Sequence, residues 1–142
     1  MIATPAALTS STALKILLVE NHPDTLKYLR MYLEQSGHSV RTAGTVAEAL
    51  TRLSESTDDV VLSDIGLPDG QGWDLLEKGH LPESVYAIAM SGFGTGNDRT
   101  RSKAAGFRHH LTKPFTPDLL DEYLEEAQSE RAQREEHTPR AA

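Results

Sequence analysis

Short aliphatic runs alternate along this chain with longer stretches in which apolar residues recur every three to four positions. The first run, KILLV over residues 15–19, has an unbroken aliphatic core, as in a strand buried on both faces of a parallel sheet. A helical period follows, with Leu26, Leu29, Tyr32 and Leu33 on one stripe. Pro23 suits its first turn, Asp24 sits by the positive dipole end, and Gly37 supplies a left-handed stop. A weaker strand is expected near 39–43. Thr45-Val46-Ala47-Glu48 reads as a capping box for a helix that turns Val46, Ala49, Leu50 and Leu53 inward. Further strands are predicted at 60–63, 85–90 and 107–111. Between them lie a short helix with Trp73, Leu75 and Leu76, and a segment, 97–105, poor in large apolar residues and ended by Gly106. Thr116-Pro117-Asp118 caps a last helix whose inner stripe is Leu120, Tyr123, Leu124 and Ala127. Five strands alternating with five helices predict an open parallel α/β sheet with helices on both faces.

Length agrees with one domain, since 142 residues fall within the usual range. Residues 1–13 are small, polar and aperiodic and predict a flexible leader or linker. Residues 14–128 carry the folded pattern, and 129–142 predict a polar, disordered tail. Composition mostly excludes. Without cysteine there is no disulfide scaffold, thiolate metal site or cysteine nucleophile. No apolar run approaches the ~20 residues of a membrane span, and no basic flank with an apolar stretch marks a signal peptide, so a cytoplasmic chain with no membrane partner is expected. Fourteen Lys and Arg against 21 Asp and Glu give a net charge of −7, a poor match for a nucleic-acid backbone. Much of that acid lies from Pro117 onward, where eight carboxylates face three arginines, as on a solvated helix face.

The polar residues that matter sit elsewhere. Glu20 and Asn21 follow the first strand, Asp64 the third, Ser91 the fourth and Lys113 the fifth. All lie just past carboxyl ends, where open α/β sheets carry their sites. The segments ILLVEN (16–21), VVLSDIGLPDGQGWDLL (60–76), AMSG (89–92) and AGFRHHLTKPF (105–115) resemble the receiver domain of two-component response regulators, over roughly residues 14–128. The phrasing is most similar to receivers attached to bacterial hybrid histidine kinases. The resemblance implies a flavodoxin-like (βα)5 three-layer sandwich with strand order 2-1-3-4-5. It further implies that Asp64 accepts a phosphoryl group from a histidine kinase or histidine phosphotransfer protein, that Lys113 contacts that group, and that Ser91 and His110 sense it. Mg²⁺ would be held by Glu20, Asn21, Asp64 and the Gly66 carbonyl. The Lys113-Pro114 bond would be cis, and the modified state would be displayed to a downstream protein on the face of the fourth helix, fifth strand and fifth helix.

One position departs from the family's pattern. Receivers place a second acid at the end of the first strand, and here Asn21 stands instead. Ligand charge holds hard cations, so weaker Mg²⁺ binding is expected, and a degenerate receiver that works by protein contact without phosphorylation is the alternative. Catalysis by the domain itself would be limited to its own phosphorylation and dephosphorylation. A dehalogenase-like phosphatase would need an acid where Gly66 stands, and a dinucleotide loop in SGFGTGN (91–97) would need glycine where Asn97 stands. The loop is expected instead to rearrange on phosphorylation. Adjacent His109 and His110 point to opposite faces of a strand, so no zinc site is expected, and Trp73 is assigned to the core. Arg99, Arg101, Lys103 and Arg108 give the fourth-helix region a basic face opposed only by Asp98. A DNA-binding regulator would need an output domain; with none after Gln128, a stand-alone regulator or a receiver from a hybrid kinase is expected.

Overall fold

The computed structural model describes residues 12–92 and 96–137. Its elements run β1 (Lys15–Val19), α1 (Pro23–Gln35), β2 (Ser39–Ala43), α2 (Val46–Glu55) and β3 (Val60–Asp64), then a two-residue ladder, β4 (Gly66–Leu67) with β5 (Gly70–Gln71). They continue with α3 (Trp73–Lys78), β6 (Tyr86–Ser91), α4 (Gly96–Ala105), β7 (His109–Thr112) and α5 (Pro117–His137). The main sheet is parallel throughout in the order β2-β1-β3-β6-β7, which is the expected 2-1-3-4-5 once the small ladder is set apart.

Alternation along the strands divides the core. Ile16, Leu18, Leu62, Ile88 and Met90 turn to one face, where Leu29 and Leu33 of α1 and Leu120, Leu124 and Ala127 of α5 complete the packing. Leu17, Val19 and Val61 turn to the other and meet Val46 and Ala49 of α2 and Leu75 of α3. Under α4 the strand β6 offers only Ala87 and Ala89, joined by Ile65 and Phe107. Ser102 is the one buried residue of α4 among the described side chains. The sparse apolar content of that segment therefore reflects a thin contact with the sheet.

Local signals explain the boundaries. Pro23 opens α1 behind His22, whose ring accepts from the Thr25 N–H, and Gly37 at φ 100° lets the chain leave it. Thr45 caps α2 through the Glu48 N–H, while the Glu48 carboxylate reaches one residue further back, to the Gly44 N–H. Helix α5 continues to His137, past residue 128 where its apolar period fades. Polar links fasten this extension: the Gln128 amide donates to Thr12 O, Arg131 donates to Ala13 O and pairs with Asp59, and Glu130 pairs with Arg108. Residues 1–11 of the expected leader and 138–142 of the expected tail lie outside the described residues. No helix among the described residues is long and apolar enough to cross a membrane.

Candidate functional site

Each parallel strand delivers its following residue to the same sheet edge, and the polar residues found there come from four separate segments. Glu20 leaves β1 and is only 1% exposed. Such burial of a carboxylate requires partners, and both oxygens have them: Oε2 accepts from the His22 N–H at 3.1 Å and Oε1 from Lys113 Nζ at 2.5 Å. Asp64 ends β3. Its Oδ1 accepts from the Gly66 N–H at 3.2 Å and its Oδ2 from Lys113 Nζ at 2.9 Å. Lys113 thus bridges residues 93 and 49 positions away in the chain. Burial of its ammonium opposes the charge, but the hydrogen bonds and field of Glu20 and Asp64 outweigh it and hold the amine above the ordinary lysine range.

A second pair adjoins this trio. Ser91 ends β6, and the Lys113 N–H donates to its carbonyl at 2.7 Å. Its hydroxyl lies 2.7 Å from His110 Nε2. Asn21 is exposed beside Glu20, with its amide oxygen 4.0 Å from where a Cβ on Gly44 would stand. Gly66 is exposed at the start of the small ladder. The Lys113-Pro114 bond is cis, as expected.

The oxygen donors here suit a hard cation. Glu20, Asp64, the Asn21 amide and the Gly66 carbonyl fit Mg²⁺, which is commonly held through one or two carboxylates while keeping several waters. Among the described residues no group of three His, Cys, Asp or Glu side chains converges on a metal position; the residue beside Glu20 is the neutral Asn21.

Three residues to which the sequence assigned no part in the site shape its surroundings. Asp69 spans from the loop after Asp64 to α2, accepting from the Val46 N–H at 2.7 Å and the Ala47 N–H at 3.0 Å. Those two bonds hold its carboxyl below the ordinary range. Trp73, assigned to the core, is half-buried and donates its indole N–H to Ser102 Oγ at 2.8 Å. Ser102 Oγ in turn lies 2.9 Å from His110 Nδ1. The two neighbouring histidines do part company: His109 stacks on Tyr123 of α5, ring centroids 3.7 Å apart, while His110 faces inward.

The basic face is corrected by the fold. Asp98 is not its only opposing acid: Arg101 makes a bidentate pair with Glu77 and lies over Trp73, and Arg108 pairs with Glu130 and lies over Tyr86. Arg99 donates to Thr112 Oγ1 at 3.0 Å. Of the loop 91–97, residues 93–95 lie outside the described residues.

A family model described as the response regulator receiver domain matches residues 16–125. The transcriptional regulatory protein KdpE of Mycobacterium tuberculosis is 37% identical over 111 residues, 77% of this chain and 47% of KdpE. The sensor histidine kinase RcsC of Escherichia coli is 28% identical over 123 residues, 86% of this chain and 13% of RcsC. The chain therefore spans less than half the length of either. Among solved structures, a CheY-like response regulator receiver domain protein from Methanospirillum hungatei superposes with a TM-score of 0.80 at 30% identity, covering 86% of this chain and 98% of that one.

Proposed function

Since this chain belongs to the response regulator receiver domain family, we propose that it takes a phosphoryl group from a phosphohistidine onto Asp64. Receiver domains accept phosphoryl groups, generally with Mg²⁺ at the site, and interact with histidine kinases or phosphotransfer proteins. The observation that carries the assignment to Asp64 is the Lys113 bridge, which ties the carboxylate at the end of β3 to buried Glu20.

In the transfer, an Asp64 carboxylate oxygen attacks phosphorus in line, the phosphorus–nitrogen bond of the donor breaks, and the imidazole leaves with the electron pair. The product is an acyl phosphate. Such a reaction depends on positioning and on neutralising charge at the equatorial oxygens. Lys113 supplies a fixed positive charge beside the attacked position, and Glu20 holds that ammonium from behind. Mg²⁺, when held by Glu20, Asn21, Asp64 and the Gly66 carbonyl, supplies Lewis-acid neutralisation of the phosphoryl oxygens. Ser91 and His110 read the modified state, and the face of α4, β7 and α5 presents it to a downstream protein.

Asn21 favours a second reading, a degenerate receiver that binds partners without phosphorylation. With Asn21 neutral, Glu20, Asp64 and Lys113 carry a formal charge of −1, against −2 with an acid at that position. Beryllofluoride with Mg²⁺ separates the two. In the phospho-acceptor, amide signals around Asp64, Ser91 and Lys113 shift, and Asp64→Asn abolishes both that response and any acid-labile phosphate formed with a kinase. Silence at those amides selects the degenerate receiver. Asn21→Asp should tighten Mg²⁺ binding, and equal affinities would remove the explanation from ligand charge.

A further inference from the structure

The hydrogen bonds around His110 form a line whose direction is fixed at one end. Trp73 opens α3, and an indole N–H can only donate; it reaches Ser102 Oγ at 2.8 Å. Ser102 is 1% exposed, so its hydroxyl hydrogen also needs an acceptor inside the fold. Its other side-chain contact is His110 Nδ1, at 2.9 Å. With the oxygen already accepting from Trp73, the Ser102 hydroxyl donates to that nitrogen. A neutral imidazole whose Nδ1 accepts carries its proton on Nε2. Nε2 lies 2.7 Å from Ser91 Oγ, so His110 donates to Ser91. The reverse order would place the proton on Nδ1, make Ser102 accept twice and strand a buried hydroxyl hydrogen.

The charge state agrees with this order. Burial, and then the Arg99 guanidinium, push the imidazole below the ordinary histidine range, against a smaller opposing pull from Asp98. Burial therefore favours the neutral ring.

We propose that Trp73 and Ser102 are positioning residues for the phosphoryl site, holding His110 in its Nε2–H tautomer so that Ser91 accepts from behind and directs its own hydrogen toward a phosphoryl oxygen on Asp64. Four donors then point one way, from α3 through α4 and β7 to the end of β6, and bonds in such a chain polarise one another. Only the last link rests on the reading of Asp64 as the acceptor. The first three are properties of the resting protein and join α4 to the site by polar contact.

Long-range proton–nitrogen NMR of the full chain, labelled with ¹⁵N-histidine and held at pH 8, reads the tautomer directly. His110 should give the Nε2–H pattern. Ser102→Ala should convert it to a tautomer mixture, and Ser102→Thr, which keeps the hydroxyl, should restore it. Trp73→Phe keeps a ring and removes the N–H, and should shift the population the same way by a smaller amount. A wild-type Nδ1–H pattern, or a Ser102→Ala spectrum unchanged from wild type, overturns the proposal. Titration with beryllofluoride and Mg²⁺ then tests the last link: affinity should fall several-fold in Ser102→Ala and return in Ser102→Thr. Equal binding by wild type and Ser102→Ala overturns the positioning role and leaves the acceptor reading standing. Binding to neither overturns the acceptor reading and the last link with it, while the tautomer spectra judge the other three.

Discussion

Helices α5 and α4 flank β7 on opposite faces of one sheet, and they are attached by different physics. Helix α5 buries Leu120, Leu124 and Ala127 among Ile88, Met90 and Leu111. Helix α4 rests on Ala87 and Ala89 and buries Ser102, with Arg101 spanning to Glu77 and Trp73. Apolar contact is non-directional and scales with area. Hydrogen bonds and ion pairs are directional and are lost one at a time. An element held in the second way can let go without opening the core, which places α4 at the low-stability end of the molecule.

The contrast can be broken most forcefully on the α5 side. Leu120→Ala should lower unfolding free energy by about 2–5 kcal/mol, measured by urea denaturation. A loss under ~1 kcal/mol would mean that α5 is not the anchor described. Gly72→Ala tests the rigid point beneath α3. A Cβ there would stand 2.4 Å from the Asp64 carbonyl oxygen and 3.0 Å from Ser63 Oγ, so the strand end must shift, at a cost of about 1–3 kcal/mol and with slower phosphoryl transfer. Unchanged Asp64 amide shifts would contradict that close approach.

Acid probes both faces of the sheet, since each holds a histidine whose neutral form burial favours. His38 accepts the Leu14 N–H beneath α1, and His110 sits against α4. Burial, the larger cause, lowers both from the ordinary value, with Asp121 opposing it at His38. Below pH ~6.5 the unfolded chain binds protons that the folded chain refuses. Stability is therefore full above that pH and declines as pH falls through the depressed folded values. Denaturation midpoints that rise on going from pH 7 to pH 5 would reverse the sign. The smallest effect belongs to Arg101→Ala, which removes a solvent-screened ion pair with Glu77 and a cation–π contact with Trp73. Its signature is faster hydrogen exchange confined to α4 amides, and uniform acceleration would erase the contrast.

Sequence pattern captured what is periodic or adjacent. Apolar runs located β1, β3 and β6, and weaker signals β2 and β7, all within two residues at each end, and the residues after them located Glu20, Asp64, Ser91 and Lys113. Gly37 and Gly106 marked helix ends because both take positive φ, 100° and 114°. Contacts decided by long-range pairing were invisible. Glu130 is 22 residues from Arg108 and Glu77 is 24 from Arg101, so the face read as basic is largely paired. The far part of α5 shows no apolar stripe because Gln128, Glu130 and Arg131 hold it through polar bonds. Ser102 gave no signal, since a small polar residue on a polar helix looks the same whether buried or exposed. His110 was found by resemblance, but its partners Ser102 and Trp73 required the fold.

Those polar bonds at the far end of α5 also settle a matter of access. Gln128 and Arg131 grip Thr12 and Ala13 beside the start of β1, so the described chain enters and its last helix passes at the amino-terminal pole of the sheet. Asp64 lies at the opposite pole. A domain fused directly at Thr12 would therefore be attached at the pole away from Asp64, the proposed acceptor.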